Sequence, residues 1–262
     1  MNKQMTNAMH RERARKALSG KWGTMALIIL AGFLIRLVVS NIIGSFTDLS
    51  TETLSGRLIS FLLSNGLFFA LTFGTYYAAL QVIREKPVRV EMTLMMFRGE
   101  YYLPLLLINL IQYVLNLLVN FITLLPILIS YGTAMYFGLM LDTISIERFQ
   151  EEMSADFGLM FMLLLFSVLV LLIGLFIGGV FQFAVWVKIE QVDLGVGDVL
   201  KEAFGTMKGH FKQYLLLQLS FIGWYFVALL PLGIGLLWVI PYHDVSVASL
   251  YSEIRRSKAI AY

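Results

Sequence analysis

The residue types that most often carry chemistry are scarce in this sequence. It contains no cysteine, which excludes thiol catalysis, disulfides and thiolate metal sites. The three histidines are His10, His210 and His243, and none belongs to an HExxH motif. His243 precedes Asp244, a pair that could bind a metal or relay a proton but is more often structural. We therefore expect no enzymatic activity, no catalytic residues, no metal and no cofactor.

A row of carboxamides interrupts one long apolar stretch. Asn109, Gln112, Asn116 and Asn120 follow one another at steps of three, four and four residues. At about 100° per residue, they fall within about 80° of one helix face. Carboxamides are costly to place against hydrocarbon. The row therefore predicts either hydrogen bonds to a neighbouring helix or the lining of a hydrated cavity.

Arg36 lies deep within the first apolar stretch. A charged side chain at the centre of a bilayer costs at least about 2.5–3.5 kcal/mol, so Arg36 should face protein. It predicts either an anion or lipid-headgroup site, or a packing arginine bonded to backbone carbonyls or a carboxamide. The candidate intramembrane polar site comprises Arg36, Asn109, Gln112, Asn116 and Asn120. We expect this polar interior to lack carboxylates, which disfavours proton-coupled transport.

Composition places these residues in a membrane protein. The 262 residues are 58% hydrophobic and 14% charged, with a mean hydropathy of +0.78. Several apolar stretches reach the roughly 20 residues that cross a bilayer as a helix. The sequence predicts an all-α polytopic bundle of about six transmembrane helices. The predicted spans are 23–46, 58–83, 103–125, 158–187, 213–231 and 233–251.

Basic residues indicate the orientation of these spans. Of the 20 lysines and arginines, 17 fall in residues 1–22, 84–102, 188–212 and 252–262. Six spans put all of these segments on one side, and cytoplasmic segments are enriched in lysine and arginine. We expect a multi-pass protein of the cell membrane with both termini in the cytoplasm. Residues 126–141 are ambiguous, since the chain either kinks at Pro126 and follows the interface or turns and crosses again.

The predicted organisation is a basic N-terminal segment at 1–22, one transmembrane domain at 23–251 and a tail at 252–262. Within it, residues 196–212 alternate apolar and charged residues with a helical period, which predicts an interfacial helix. Its candidate contact residues are Lys201, Phe204, Met207, Lys208 and Phe211. A weak internal repeat is suggested by two similar span–linker–span arrangements, MMFRGEYYLPLLLINL and TMKGHFKQYLLLQLS.

Two short motifs concern packing and turns. Gly174 and Gly178 form a GxxxG motif that suits close helix contact or a homo-oligomer. The sequence PLGIG at 231–235 predicts a tight turn. The expected partners are membrane lipids and protein partners, with no nucleic acid, because cytoplasmic loops account for the basic pI.

Several motifs resemble a bacterial membrane family. They are RARKALSGKWG, FGTYYAALQVIREKP, KEAFGTMKGHFKQYLLLQLSFIGW and GIGLLWVIPYHDVSVASLY. The chain resembles the family catalogued as domain of unknown function 975, typical of Gram-positive bacteria. It is more remotely similar to the membrane domain of some glycerophosphodiester phosphodiesterases, which is not their catalytic domain. The resemblance implies a membrane architecture and no reaction.

Two functions remain open on the sequence. One is a non-enzymatic membrane protein that acts through lipid or protein partners, as an accessory to export, envelope homeostasis or immunity. The alternative is a transporter or lipid-translocating protein that uses the polar intramembrane face. The scarcity of catalytic residues favours the first, and the carboxamide row with Arg36 favours the second.

Overall fold

The computed structural model describes residues 5–47, 53–123, 125–141 and 157–260, and no β-strand occurs in these ranges. A π-helix at Leu63–Phe68 joins α3 to α4, and a 3₁₀ helix occupies Val90–Phe97. The α-helices are α1 (Asn7–Leu18), α2 (Trp22–Gly44), α3 (Leu54–Leu62), α4 (Phe69–Ile83), α5 (Gly99–Thr123), α6 (Leu125–Met140), α7 (Phe157–Glu190), α8 (Val196–Leu219), α9 (Ile222–Leu229) and α10 (Leu236–Ile260). The predicted all-α fold is confirmed.

Four helical stretches are long and apolar enough to cross a membrane. They are Trp22–Gly44, Leu54–Ile83, Gly99–Thr123 and Met160–Glu190, in agreement with the first four predicted spans. The last two predicted spans, 213–231 and 233–251, do not begin and end where the helices of the structure do. The predicted interfacial helix continues past Lys212 to Leu219, and the short α9 follows it. The six-span count therefore stays a prediction.

The chain divides into two compact units, Met1–Asn109 with Gly179–Tyr262, and Leu110–Gly178. Within the second unit, the Tyr136 hydroxyl donates to the Phe121 carbonyl at 2.8 Å. A continuous helix would separate these residues by about 22 Å at 1.5 Å per residue. The chain therefore turns between α5 and α6, which excludes one long helix. Gly132, at φ +78°, interrupts α6 further along.

The core of the first unit surrounds α10. Every residue from Asp244 to Tyr251 is at most 5% exposed. The Tyr251 ring lies 5.1 Å from that of Trp186 and 5.2 Å from that of Phe183, between ring centroids. The Trp186 indole donates to the Tyr76 carbonyl at 2.8 Å, which joins α7 to α4. Large aromatic rings thus fill the space between α4, α7 and α10.

The 3₁₀ helix packs directly on α4. Thr93 and Met96 are buried while Glu91 and Leu94 are exposed, as the threefold period of a 3₁₀ helix requires. A Cβ added at Gly74 would lie 2.5 Å from the Thr93 carbonyl oxygen. Only glycine permits this approach, so the FGTYY motif contains a packing contact between two backbones.

Two turns near the end of the chain follow the sequence closely. Residues 230–235 form a turn with positive φ at Leu232 and Gly233, which confirms the turn predicted for PLGIG. A Cβ at Gly235 would lie 2.6 Å from the Ala228 Cα, so this turn packs against α9. The predicted tail does not form a separate segment, because α10 continues to Ile260.

Candidate functional site

Two members of the predicted polar site converge on the π-helix. The Arg36 guanidinium donates to the Phe68 carbonyl at 3.0 Å and to the Thr72 hydroxyl. The Asn109 amide donates to the Asn65 carbonyl at 3.3 Å and to the Asn65 side-chain oxygen at 3.2 Å. Tyr102 from α5 donates to a third carbonyl of the π-helix, that of Gly66, at 2.5 Å.

The local sequence explains why these side chains are needed. Ser64, Asn65 and Gly66 are poor helix formers within an apolar stretch. A π-helix shifts the backbone hydrogen bonds away from the α-helical pattern, and such segments are frequent at functional sites. In a bilayer, irregular backbone needs partners from neighbouring protein. Arg36 and Asn109 supply them, which supports the packing interpretation that the sequence left open for Arg36.

The rest of the carboxamide row belongs to the second compact unit. Gln112 is half-buried, and Asn116 and Asn120 are exposed. Within the described residues, none of the three shows a hydrogen bond to another residue. The row is therefore divided: Asn109 is bonded to Asn65, while the three later carboxamides leave their donors and acceptors available.

A second cluster of polar side chains lies inside the predicted span 233–251. Asp244 is 5% exposed. Its Oδ1 lies 3.2 Å from His243 Nδ1, and His243 Nε2 lies 2.6 Å from Gln218 Oε1. The Tyr225 ring packs 5.9 Å from the imidazole. The sequence singled out the His243–Asp244 pair but not its partner Gln218, which lies 25 residues away in the chain.

A network of ion pairs ties four helices together near the end of α7. The Glu190 carboxylate accepts from Arg84, which follows the last residue of α4, and from two residues of α10, the Tyr251 hydroxyl at 2.8 Å and Arg255 at 3.2 Å. Arg255 also bonds to Glu202 of α8. The Glu190 side chain is only 13% exposed. Spacing along the sequence could not reveal this site, because its members are far apart in the chain.

The N-terminal helix is held by buried polar contacts. His10 is fully buried, with Nδ1 3.0 Å from the Ser249 hydroxyl and Nε2 3.0 Å from a Glu253 oxygen. The Met5 amide donates to Glu253 at 2.7 Å, and Gln213 donates to the Met5 carbonyl at 2.8 Å. Burial lowers the pKa of the His10 imidazole below its usual 6.5, despite the nearby carboxylate. The predicted basic N-terminal segment at 1–22 thus contains a helix that is docked on the rest of the fold.

The residues chosen for the interfacial helix fall on two different faces of α8. Lys201, Phe204 and Lys208 are exposed, and Phe211 is half-buried beside them. Met207 is fully buried, so its assignment to a lipid contact is wrong. A Cβ added at Gly179 would lie 2.5 Å from the Met207 methyl group, which shows how closely α7 and α8 pack. The helix is amphipathic, but its apolar face packs against the other helices of the bundle.

The glycine motif of α7 is open where it was expected to be packed. A Cβ added at Gly174 or Gly178 would meet nothing within 4 Å, whereas Gly179 is in tight contact. Within the described chain, the close-packing glycine is therefore Gly179. The oligomer contact predicted for Gly174 and Gly178 stays a prediction.

Two cavities in the described part of the chain each contain at least two lysine or arginine side chains. One, of about 610 Å³, is lined by Arg89, Arg98, Glu91 and apolar residues of the 3₁₀ helix. The other, of about 540 Å³, is lined by residues of α1 and the end of α4, with three cations and two carboxylates. Its cations are Arg13, Lys16 and Lys21. Each cavity combines cationic and apolar groups, as an amphiphilic ligand requires. Within the described residues, no three histidine or carboxylate side chains are grouped to hold a metal ion.

Comparison with known proteins gives one result. A family model described as "Protein of unknown function (DUF975)" matches residues 5–258. The chain belongs to the DUF975 family. No curated protein and no solved structure matches it. The docked N-terminal helix, the π-helix and the ion-pair network all lie within the matched residues.

Proposed function

We propose that this DUF975 protein is a non-enzymatic, multi-pass protein of the bacterial cell membrane that acts through lipid or protein partners at the cytoplasmic face. Its role would be accessory, in export, envelope homeostasis or immunity. The observation that carries the proposal is the exposed face of α8, formed by Lys201, Phe204 and Lys208. Both termini would then be cytoplasmic, as the distribution of basic residues favours.

This face is suited to the surface of an anionic membrane. Lysines attract anionic headgroups by about 1 kcal/mol each, and an aromatic ring inserts at the boundary of the acyl chains. The opposite face is occupied, because Val199, Ala203 and Met207 are fully buried. α8 is therefore anchored by one face and exposes the other. It is also absent from the helices that are apolar enough to cross a membrane.

The proposal is tested by placing a photoreactive amino acid at Phe204 in the full chain and irradiating native membranes. The same group at Phe226, which is 69% exposed on α9, is the matched control. We expect a discrete lipid or protein adduct at position 204, with a yield several times that at 226. Mass spectrometry of the purified adduct identifies the partner.

Charge variants separate a specific face from general attraction. Lys201→Ala with Lys208→Ala should reduce the adduct at 204. Arg15→Ala with Arg256→Ala removes the same charge from other exposed positions and should leave the yield unchanged. Equal loss in both double variants, or equal adduct yields at positions 204 and 226, would count against the proposal.

Transport of a polar or lipid substrate is the second candidate. The observation that favours it is the cluster of His243, Asp244 and Gln218 inside the bundle, since buried ionisable groups in membrane domains often line a substrate path. His243→Gln and Asp244→Asn should then abolish substrate movement in proteoliposomes. If movement persists in both variants while α8 variants lose partner binding, the transport hypothesis fails.

A further inference from the structure

The proposed function does not require the exposed carboxamides of α5. Placing carboxamides on an apolar, membrane-spanning helix costs free energy unless they are hydrogen-bonded. α5 is one of the four helices apolar enough to span a membrane. Asn116 and Asn120 are exposed on it among apolar neighbours, with Leu117 41% and Leu118 53% exposed. Asn116 lies about 25 Å along the helix from Gly99, at 1.5 Å per residue, within the depth of a bilayer.

We infer that Gln112, Asn116 and Asn120 form a contact between two copies of this chain. A carboxamide carries both a donor and an acceptor, so a row of carboxamides is complementary to a second copy of itself. A row of lysines or of carboxylates would instead repel its copy. Lipid tails can satisfy neither the donors nor the acceptors.

A carboxamide–carboxamide contact of the kind proposed here already occurs within one chain. At the start of the same row, the Asn109 amide nitrogen lies 3.2 Å from the Asn65 side-chain oxygen. This Asn–Asn pair satisfies two carboxamides between helices of one chain. The later members of the row have the same chemistry, and the described residues provide no such partner for them. A second copy of the chain supplies these partners through the same carboxamide–carboxamide hydrogen bond.

The spacing of the row fits a symmetric helix pair. Gln112, Asn116 and Asn120 recur every four residues within a narrow arc of α5. In a two-fold dimer with an axis along the membrane normal, each row faces its own copy, so equivalent positions meet. Small or polar residues at such a helix–helix contact are typical of membrane proteins.

The absence of cysteine makes the full-length protein a ready background for crosslinking. Asn116→Cys is oxidised in native membranes and compared with Leu118→Cys. Leu118 is 53% exposed, two residues away and about 200° round the helix, so depth and exposure are matched. We expect a disulfide-linked dimer for Asn116→Cys and several-fold less for Leu118→Cys. Equal yields, no dimer at 116, or a crosslink to another protein would overturn the inference.

A second measurement does not depend on cysteine. Asn116→Leu with Asn120→Leu should shift the monomer–dimer equilibrium in detergent or vesicles towards monomer by about tenfold, or about threefold per carboxamide pair. Asn116→Gln keeps donor and acceptor and should retain the dimer. Since leucine is well tolerated in a lipid-facing helix, the double variant should still fold. An unchanged dimer fraction in the leucine variant, or its loss in the glutamine variant, refutes the contact.

Discussion

Helices α2 and α10 belong to the same compact unit and face opposite surroundings. Leu27, Phe33 and Val38 of α2 are 52%, 58% and 51% exposed. In α10, no residue from Asp244 to Tyr251 is more than 5% exposed. Yet α2 is apolar enough to be recognised as a membrane helix and α10 is not. Of these two helices the more apolar one is thus the more exposed, as is expected of a helix that faces lipid.

The polar residues of the two helices are satisfied in different ways. Those of α10 have protein around them, as Ser249 has His10 and Tyr251 has Glu190. A polar residue of α2 must reach past lipid-facing neighbours, as Arg36 does to the Phe68 carbonyl. Changes in α10 and its neighbours should therefore cost more than equivalent changes on the exposed face of α2. The following variants test this difference.

The largest effect is expected where α10 is tied to α7. Glu190→Gln keeps the size of the side chain but leaves Arg84 and Arg255 without their shared carboxylate. Breaking one partner of a largely buried ion pair costs about 3–5 kcal/mol. We expect the free energy of unfolding to fall by about this amount, as measured by denaturation in detergent with tryptophan fluorescence.

The control for this prediction is an exposed ion pair. Glu12 pairs with Lys16 on α1, where the side chains are 52% and 76% exposed. Water screens an exposed pair, so Glu12→Gln should have little effect on the free energy of unfolding. Similar losses in the two variants would mean that the network of Glu190 is not a structural tie.

A matched pair of glycines gives the second test. The Cβ of Gly74→Ala would meet the Thr93 carbonyl at 2.5 Å, and that backbone cannot move away cheaply. Overpacking of this kind costs about 1–3 kcal/mol. On α2, a Cβ at Gly23 meets nothing within 4 Å, so Gly23→Ala should be neutral or stabilising by up to about 1 kcal/mol. Thermal unfolding of both variants in one detergent decides the matter, and a neutral Gly74→Ala would contradict the packing described for the 3₁₀ helix.

A matched pair of serines gives a smaller contrast. Ser249→Ala removes the partner of His10 Nδ1 in a fully buried contact, for which we expect a loss of about 1–2 kcal/mol. Ser40→Ala, on the half-buried surface of α2, should change stability by no more than about 0.5 kcal/mol. Both changes are measured by the same unfolding assay, and the ranking of the two variants is the result of interest.

The contrast between α2 and α10 also explains which features of the structure the sequence predicted. The four long apolar helices were predicted correctly because apolar stretches of sufficient length are a local signal. The burial of Asp244 and the pairing of Glu190 were missed, since each depends on residues distant in the chain. Arg36 was correctly expected to face protein. Its partner is the backbone of a π-helix, which the sequence pattern did not predict.

The site residues divide in the same way. The helical period predicted an amphipathic helix with Phe204 and Met207 among its apolar residues and Lys201 and Lys208 between them. In the structure Phe204 is exposed together with the two lysines, whereas Met207 packs beside Gly179. Amphipathic period identifies a face, whereas only packing shows whether lipid or protein covers it.

The smallest effect is expected from pH at the contact between α1 and α10. Burial lowers the pKa of His10 below 6.5, so the folded protein binds this proton less readily than the unfolded chain. Stability from neutral His10 is therefore complete above about pH 6.5 and declines as the pH falls towards the lowered pKa of the folded state. Glu253 opposes this shift and Arg13 adds to it, and these are the charged groups that act on His10. Hydrogen exchange of α1 at pH 7.5 and 5.5 should show weaker protection at the lower pH.

Two histidine variants make this pH dependence specific. His10→Gln removes the titrating group, so protection of α1 should become independent of pH across this range, even if it is lower throughout. His210, which is half-buried on α8 and bonded to the Thr206 carbonyl, is the matched control. His210→Gln should leave the pH dependence of α1 in place. If the dependence disappears with His210→Gln and persists with His10→Gln, the buried contact between α1 and α10 is not what responds to protons.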